Sequence, residues 1–370
     1  MTAAGHRSVI AAAPRIVVKV GSSSLTSPTG GLDPVRLGAL SDAIAGQRLA
    51  GRQVVLVSSG AIAAGLAPLG LVRRPRDLAT QQAAASVGQL LLVERYAAAF
   101  ARHGLTVGQV LLSADDLHRR AHFRNAQRTL ERLLALGVVP IVNENDAVAT
   151  EEIRFGDNDR LAALVAHLSV SGALVLLSDV EGLYDGDPRN PTSRLITQVE
   201  DPADIAGVDL SARANVGLGT GGMNSKIDAA VIAVSAGIPV LLAAAAGAAA
   251  ALSGSASGTF FPARARRPGM RLFWLRHASA PRGRLVLDAG AVAAIVGRRM
   301  SLLAAGITGV SGDFEAAEPV DLCDAAGTVV ARGLAGYDSA ELPALLGRRS
   351  ADLPEDSRRA VVHRDDMVLL

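Results

Sequence analysis

A chain of 370 residues, 49% hydrophobic and 19% charged, is long enough for two domains, or one large one with an appendage, and apolar enough to bury a core. A net charge of +2 sets up no overall field toward nucleic acid or membrane, and 3% aromatic residues argue against a surface built from base-stacking platforms. The single cysteine, Cys323, excludes an internal disulfide and a multi-cysteine metal site, and it suits a reducing cytoplasmic compartment.

In chain order, the N-terminus reads as a frayed tail leading into a strand, since proline and lysine interrupt its short apolar stretches. Continuous apolar runs then mark strands at 15–20, 53–59, 105–113, 137–143, 173–179 and 237–243, the pattern of strands covered on both faces. Between them lie helical stretches at 33–50, 77–102, 122–136 and 158–169. This alternation predicts an α/β fold, a mostly parallel sheet between two layers of helices. The run "IPVLLAAAAGAAAALSG" is short for a bilayer span and reads as a buried strand followed by a small-residue helix or loop. Beyond about 260 the texture changes to short strands, frequent glycine and one brief helix, which predicts a small, mainly β domain. Nine arginines against the single acid Asp288 between 264 and 299 read either as a solvated linker or as an anion- or RNA-binding patch.

Ligands of parallel sheets bind beyond the carboxyl ends of the strands. Polar loops follow there: "GSSS" (21–24), "SSGAIAAG" (58–65), "NENDAVA" (143–149) and "SDVEGLY" (178–184), while "GDND" (156–159) opens a helix. The stretch "GLGTGGMNSK" (217–226) fits G-x-G-x-x-G, but it lacks the strand before it and the acid about twenty residues after it that a dinucleotide site requires. It also fails as a phosphate-binding P-loop, because Lys226 follows Ser225 and precedes Ile227. What survives is a glycine loop ending in a lysine at the start of a helix.

Of 37 basic residues only Lys19 and Lys226 are lysine, the other 35 being arginine. Both stand beside glycine loops. A lysine is a compact point charge on a flexible stem, so the pair reads as two cations converging on one phosphoryl group. The acids and amides of "NENDAVATEEIRFGDND" could cap helices, hold a substrate ammonium, orient the lysines or help seat Mg²⁺. His118 and His122, spaced i, i+4 on a solvated helix face, lack a neighbouring acid and an evident third ligand, which argues against a metal there.

The ordered stretches "VVKVGSSSL", "VSSGAIAAG", "QQAAASVGQ", "VNENDAVATEEI", "FGDNDRLAALVA", "LLSDVEGLYDGDPR", "GLGTGGMNSKIDAA" and "VHRDDM" run from 16 to 366, and together they resemble the glutamate 5-kinases of the amino-acid kinase family. The Ala-rich 243–257 departs from the pattern without touching a motif. The resemblance implies a three-layer α/β/α kinase domain over 1–260, a linker over 261–281, a PUA-like domain over 282–361 and a tail over 362–370. It also implies transfer of phosphoryl from ATP to the side-chain carboxylate of L-glutamate, with Mg²⁺. By the same resemblance Lys19, Lys226, Asp159, Gly21 and Gly60 act on the phosphoryl, with Asp157 the alternative to Asp159 for orienting the lysines. Ser59, Asp146, Asn158, Asp157 and Asn143 bind glutamate. The nucleotide lies against Lys19, Ser178, Asp179 and the stretch Thr220, Gly221, Gly222, Met223, Asn224, Ser225 and Lys226. Inhibition by proline, a homo-oligomeric state and RNA as a partner of the PUA-like domain complete the expectation. A sibling kinase acting on N-acetylglutamate or aspartate, and an RNA-binding protein, are the competing readings.

Overall fold

The computed structural model describes residues 3–27, 31–148, 158–201, 205, 222–254, 258–263, 267–355 and 358–370. It forms two compact units, one of residues 1–117 and 121–267 and the other of 118–120 and 268–370.

In the first unit, helix α1 (Ala3–Ala12) precedes strand β1 (Arg15–Val20). The frayed tail expected there is thus a helix. Ile10 is fully buried in the core, and Arg7 donates to the carbonyls of Thr197 and Gly258. There follow α2 (Ser22–Leu25), α3 (Pro34–Leu49), β2 (Gln53–Ser58), α4 (Ala61–Leu66), α5 (Leu78–Ala101) and β3 (Val107–Leu112). Next are α6 (Ala114–His118), α7 (Arg120–Ala135), β4 (Val139–Glu144), α8 (Asn158–Leu168) and β5 (Ala173–Ser178). A hairpin of β6 (Leu183–Tyr184) and β7 (Leu195–Ile196) leads to α9 (Met223–Ser235), β8 (Val240–Ala244), α10 (Ala248–Leu252) and β9 (Thr259–Phe261).

The strands form one sheet in the order β3-β4-β2-β1-β5-β8-β9, parallel except for the last edge. Every predicted apolar run became a strand of it, for the reason anticipated: most positions along β1, β2, β4, β5 and β8 are buried on both faces. The period of two sorts the side chains. Ile16, Val18, Val20, Val54, Leu56 and Ile141 join a core with Leu37, Ile44, Leu92, Tyr96 and Leu252 of α3, α5 and α10. Lys19 alternates onto the opposite face, the side that α8 covers. Glycine sets the approach of α4 to α5. A Cβ on Gly88 would stand 1.8 Å from the Ala61 carbonyl oxygen, and one on Gly65 would stand 1.9 Å from that of Ala84, so the two backbones touch.

In the second unit, α11 (Met270–His277) precedes β10 (Gly283–Leu287), α12 (Ala289–Arg298), β11 (Ile307–Gly312), β12 (Pro319–Cys323), β13 (Val329–Ala335) and β14 (Val362–Leu369). The sheet order is β11-β10-β12-β13-β14 around Leu285, Ile295, Ile307, Phe314, Leu322 and Val361. Two expectations change. Residues 362–369, read as a tail, form a strand antiparallel to β13, and a second helix, α11, lies in the stretch read as linker. Arg271 of that helix pairs with Asp366 of β14, so part of the arginine-rich segment is spent inside the fold. Residues 264–266 of the segment lie outside the described residues.

No helix among the described residues is long and apolar enough to cross a membrane. Gly88→Ala is expected to lower the free energy of unfolding by about 2 kcal/mol or more, since neither backbone can give way. Urea denaturation with an unchanged midpoint would show that the two helices do not touch.

Candidate active site

At the carboxyl edge of the sheet the glycine-opened helices converge. Helices α2, α4 and α9 begin at Gly21, Gly60 and Gly222, and none has a side-chain cap. Where Asp33 and Asp77 stopper α3 and α5 with a carboxylate, these three keep first-turn N–H groups available to an anion. Gly60 stands at φ +106°, a conformation that a side chain would strain. This turn lets the Ser59 N–H reach the Val20 carbonyl at 3.1 Å, tying the end of β2 to β1. The Cβ position of Gly21 lies 3.8 Å from Lys19 Nζ.

At the centre, Asp159 opens α8 and is fully buried. Lys19 Nζ lies 2.5 Å from its Oδ1 and Lys226 Nζ 3.0 Å from its Oδ2. Both lysines are buried, which the charge balance permits only because a carboxylate stands between them. Ser225 Oγ, one residue before Lys226, has two acceptors within reach of its single hydrogen, the same Oδ2 at 3.0 Å and the Gly222 carbonyl at 2.8 Å. The α9 loop is thereby fastened to α8. Two ammonium groups around one carboxylate leave one net positive charge at the mouth of three uncapped helices, and each ammonium carries three donors. The arrangement is suited to a phosphoryl group.

Beside it lies an amide cluster. Asn158 Nδ2 reaches the Ser58 carbonyl at 3.1 Å, Ser59 Oγ at 2.8 Å and Asn143 Oδ1 at 2.8 Å. Asn143 Nδ2 donates to Gln89 Oε1 of α5 at 2.7 Å. Ser58 Oγ lies 2.9 Å from the hydroxyl of Tyr96, also of α5. Burial pushes that phenol above its ordinary range, with the Ser58 bond acting the other way, so Tyr96 stays neutral.

The structure thus brings together Lys19, Lys226, Asp159, Gly21, Gly60, Gly222 and Ser225 on one side, and Ser59, Asn143 and Asn158 on the other. Ser178 ends β5, its Oγ 3.1 Å from Asp179 Oδ1. Asp146 is half-buried in the turn after β4, Met223 is half-buried and Asn224 is exposed. Asp157, Thr220 and Gly221, with the glycines at 217 and 219, lie outside the described residues. Sequence reading missed Gln89 and Tyr96; the stretch "QQAAASVGQ" holds the glutamine, but no spacing rule singles it out.

The histidine pair is corrected. The helix is interrupted by a bend at Arg119, so His118 ends α6 and His122 lies in α7. His122 also has an acid beside it, Asp116, at 3.1 Å. Burial raises the Asp116 pKa, but hydrogen bonds from Ser113 and the contact with His122 outweigh it and hold the carboxyl below its usual value. Among the described residues no three His, Cys, Asp or Glu side chains gather to hold a metal ion. Asp159 is engaged by both lysines.

The chain matches the amino acid kinase family over residues 14–244 and the PUA domain over residues 283–355. It is 62% identical to a glutamate 5-kinase of Streptomyces coelicolor over 99% of both chains. Relatives of the same description from Salinispora arenicola and Thermobifida fusca are 63% and 61% identical, each over 98% of this chain and over 100% and 95% of the relative.

Removing the central carboxylate leaves two buried cations facing each other. Asp159→Ala is expected to cost about 3–5 kcal/mol of stability. The triple variant Lys19→Met, Asp159→Ala, Lys226→Met should regain much of it. Denaturant unfolding of both variants checks this, and a triple variant no more stable than the single one contradicts the bridging role.

Proposed function

The chain belongs to the amino acid kinase family, and we propose that it transfers the terminal phosphoryl group of ATP to the side-chain carboxylate of L-glutamate. The products are L-glutamyl 5-phosphate and ADP, the first step of proline biosynthesis. The observation that carries this reading is the pair of lysines held on Asp159 beside three uncapped helix N-termini.

The chemistry suits those residues. A carboxylate is already ionised near neutral pH, so it attacks phosphorus without a general base. The obstacle is electrostatic, because an anion must approach a polyanionic triphosphate. In this reading Lys19 approaches the phosphoryl from β1 and Lys226 from α9, so charge developing on its equatorial oxygens meets cations already in place. Asp159 sets their separation. The N–H groups after Gly21 and Gly60 add neutral donors. Ser59, Asn143, Asn158 and Asp146 hold the amino acid, with Asp146 toward the ammonium and Asp157 a further candidate. Ser178, Asp179 and residues 220–226 hold the nucleotide. Mg²⁺ belongs to this reading as the counter-ion of the triphosphate, taking phosphate oxygens and water as that ion prefers.

A cytoplasmic homo-oligomer under proline control is part of the same proposal. Proline is close to glutamate in size, which makes competition at the amide cluster the simplest route. RNA is a proposed partner of the second unit alone, where Arg282, Arg284, Arg298 and Arg299 are exposed.

Trapping the acyl phosphate with hydroxylamine, with glutamate, N-acetylglutamate and aspartate offered in turn, should give hydroxamate mainly from glutamate. A preference for either other acid removes this reading in favour of a sibling kinase. In the same assay Lys19→Arg and Lys226→Arg should each lose about 100-fold or more in kcat, since a planar fork does not replace a mobile point charge. Near-normal turnover in both variants would refute the role given to the lysines. Added proline should raise the apparent KM for glutamate with kcat unchanged; an unaltered KM counts against competition.

A further inference from the structure

The amide cluster fixes its own atom assignments. Asn143 Oδ1 accepts from the backbone N–H of Glu144 at 2.9 Å, and a backbone N–H can only donate. The other atom of that amide is therefore Nδ2, and the Gln89 atom it meets at 2.7 Å must be the acceptor Oε1. It follows that Gln89 Nε2 is a donor on the far side of its amide, buried and without an acceptor among the described residues. Asn158 obeys the same logic. Its Nδ2 is fixed by the Ser58 carbonyl at 3.1 Å, so its Oδ1 is an acceptor, and it too is buried without a partner among the described residues. Buried polar groups left unmade are costly, and native proteins keep few of them. Here one network holds two, a donor and an acceptor. A zwitterionic amino acid supplies the complementary pair.

We propose that Gln89 is a further substrate-binding residue, its Nε2 donating to the α-carboxylate of the amino acid while Asn158 Oδ1 accepts from the ammonium. This rests on the glutamate reading of the site. The sheet order selects the end of the substrate. Lys19 is on β1, Asn143 is on β4, and β2 lies between them. The lysines and the amide pair are therefore separated by about two strand spacings, roughly 10 Å. A substrate whose reacting carboxylate lies at the lysines extends its other end toward Asn143 and Gln89. Gln89 then discriminates between acids that carry an α-carboxylate and acids that do not.

The test compares glutamate with 4-aminobutyrate, which keeps the reacting carboxylate and the ammonium but has no α-carboxylate. In the full-length enzyme, Gln89→Met should lower kcat/KM for glutamate while barely altering that for 4-aminobutyrate. Where turnover of the analogue is too slow to measure, its inhibition constant serves. The ratio of the two should fall about tenfold or more, the usual effect of losing a hydrogen bond to a charged group. Gln89→Glu keeps an acceptor for Asn143 but sets a carboxylate oxygen where Nε2 stood, so it should reduce the ratio further while KM for ATP stays near its wild-type value. It also covers the case in which the methionine variant does not fold. An equal loss for both substrates, with the ratio unchanged, would mean that Gln89 only positions Asn143 and would overturn the inference. A wild-type enzyme that forms no hydroxamate from glutamate would overturn the functional reading itself, so the two failures are distinguishable.

Discussion

Two buried ammonium groups repel one another, and everything at the active edge of this sheet depends on the carboxylate that separates them. Asp159 accepts Lys19 on one oxygen and Lys226 on the other. The two lysines come from distant parts of the chain, one from the central strand and one from the first turn of a helix two hundred residues later. Asp159 is the point at which β1, α8 and α9 are tied. Burial makes the tie strong, because water is not present to screen it, and it makes any single deletion costly for the same reason.

The scaffold around this tie is rigid where it positions and open where it binds. Strand alternation turns Lys19 toward α8 while its neighbours Val18 and Val20 pack on the opposite side. The glycine contact between α4 and α5 sets the height of α4. Helix α5 in turn carries Tyr96 to Ser58 and Gln89 to Asn143. Helix α5 thus shapes the ends of two strands, β2 and β4. The glycines that open α2, α4 and α9 leave backbone N–H groups where an aspartate cap would have satisfied them. That choice costs helix stability locally and leaves a place for an anion.

Much of this was legible in the sequence, for identifiable reasons. Strands covered on both faces write themselves as unbroken apolar runs, so the parallel sheet and its helical layers were readable. Lys19 and Lys226 stood out because arginine fills every other basic position. Other features carried no such signature. Helix α1 is alanine-rich and short, and it is held against the fold through Ile10 and Arg7. Strand β14 opens with "VHRDDM", whose exposed charges read as a tail because an edge strand needs few buried side chains. Gln89 is one amide in a long helix, and its importance lies in which of its atoms is left over. The bend at Arg119, which separates two histidines at helical spacing, is invisible to a periodicity argument.

Because the chain contains two lysines, labelling lysine with ¹³Cε and ¹⁵Nζ gives two signals, one for each side of the bracket. Titration with ADP and then with a non-hydrolysable ATP analogue measures whether both meet the terminal phosphate. If both lysines meet the terminal phosphate, both signals move, and both move further with the triphosphate than with the diphosphate. A lysine signal that stays in place at saturating triphosphate would contradict that contact.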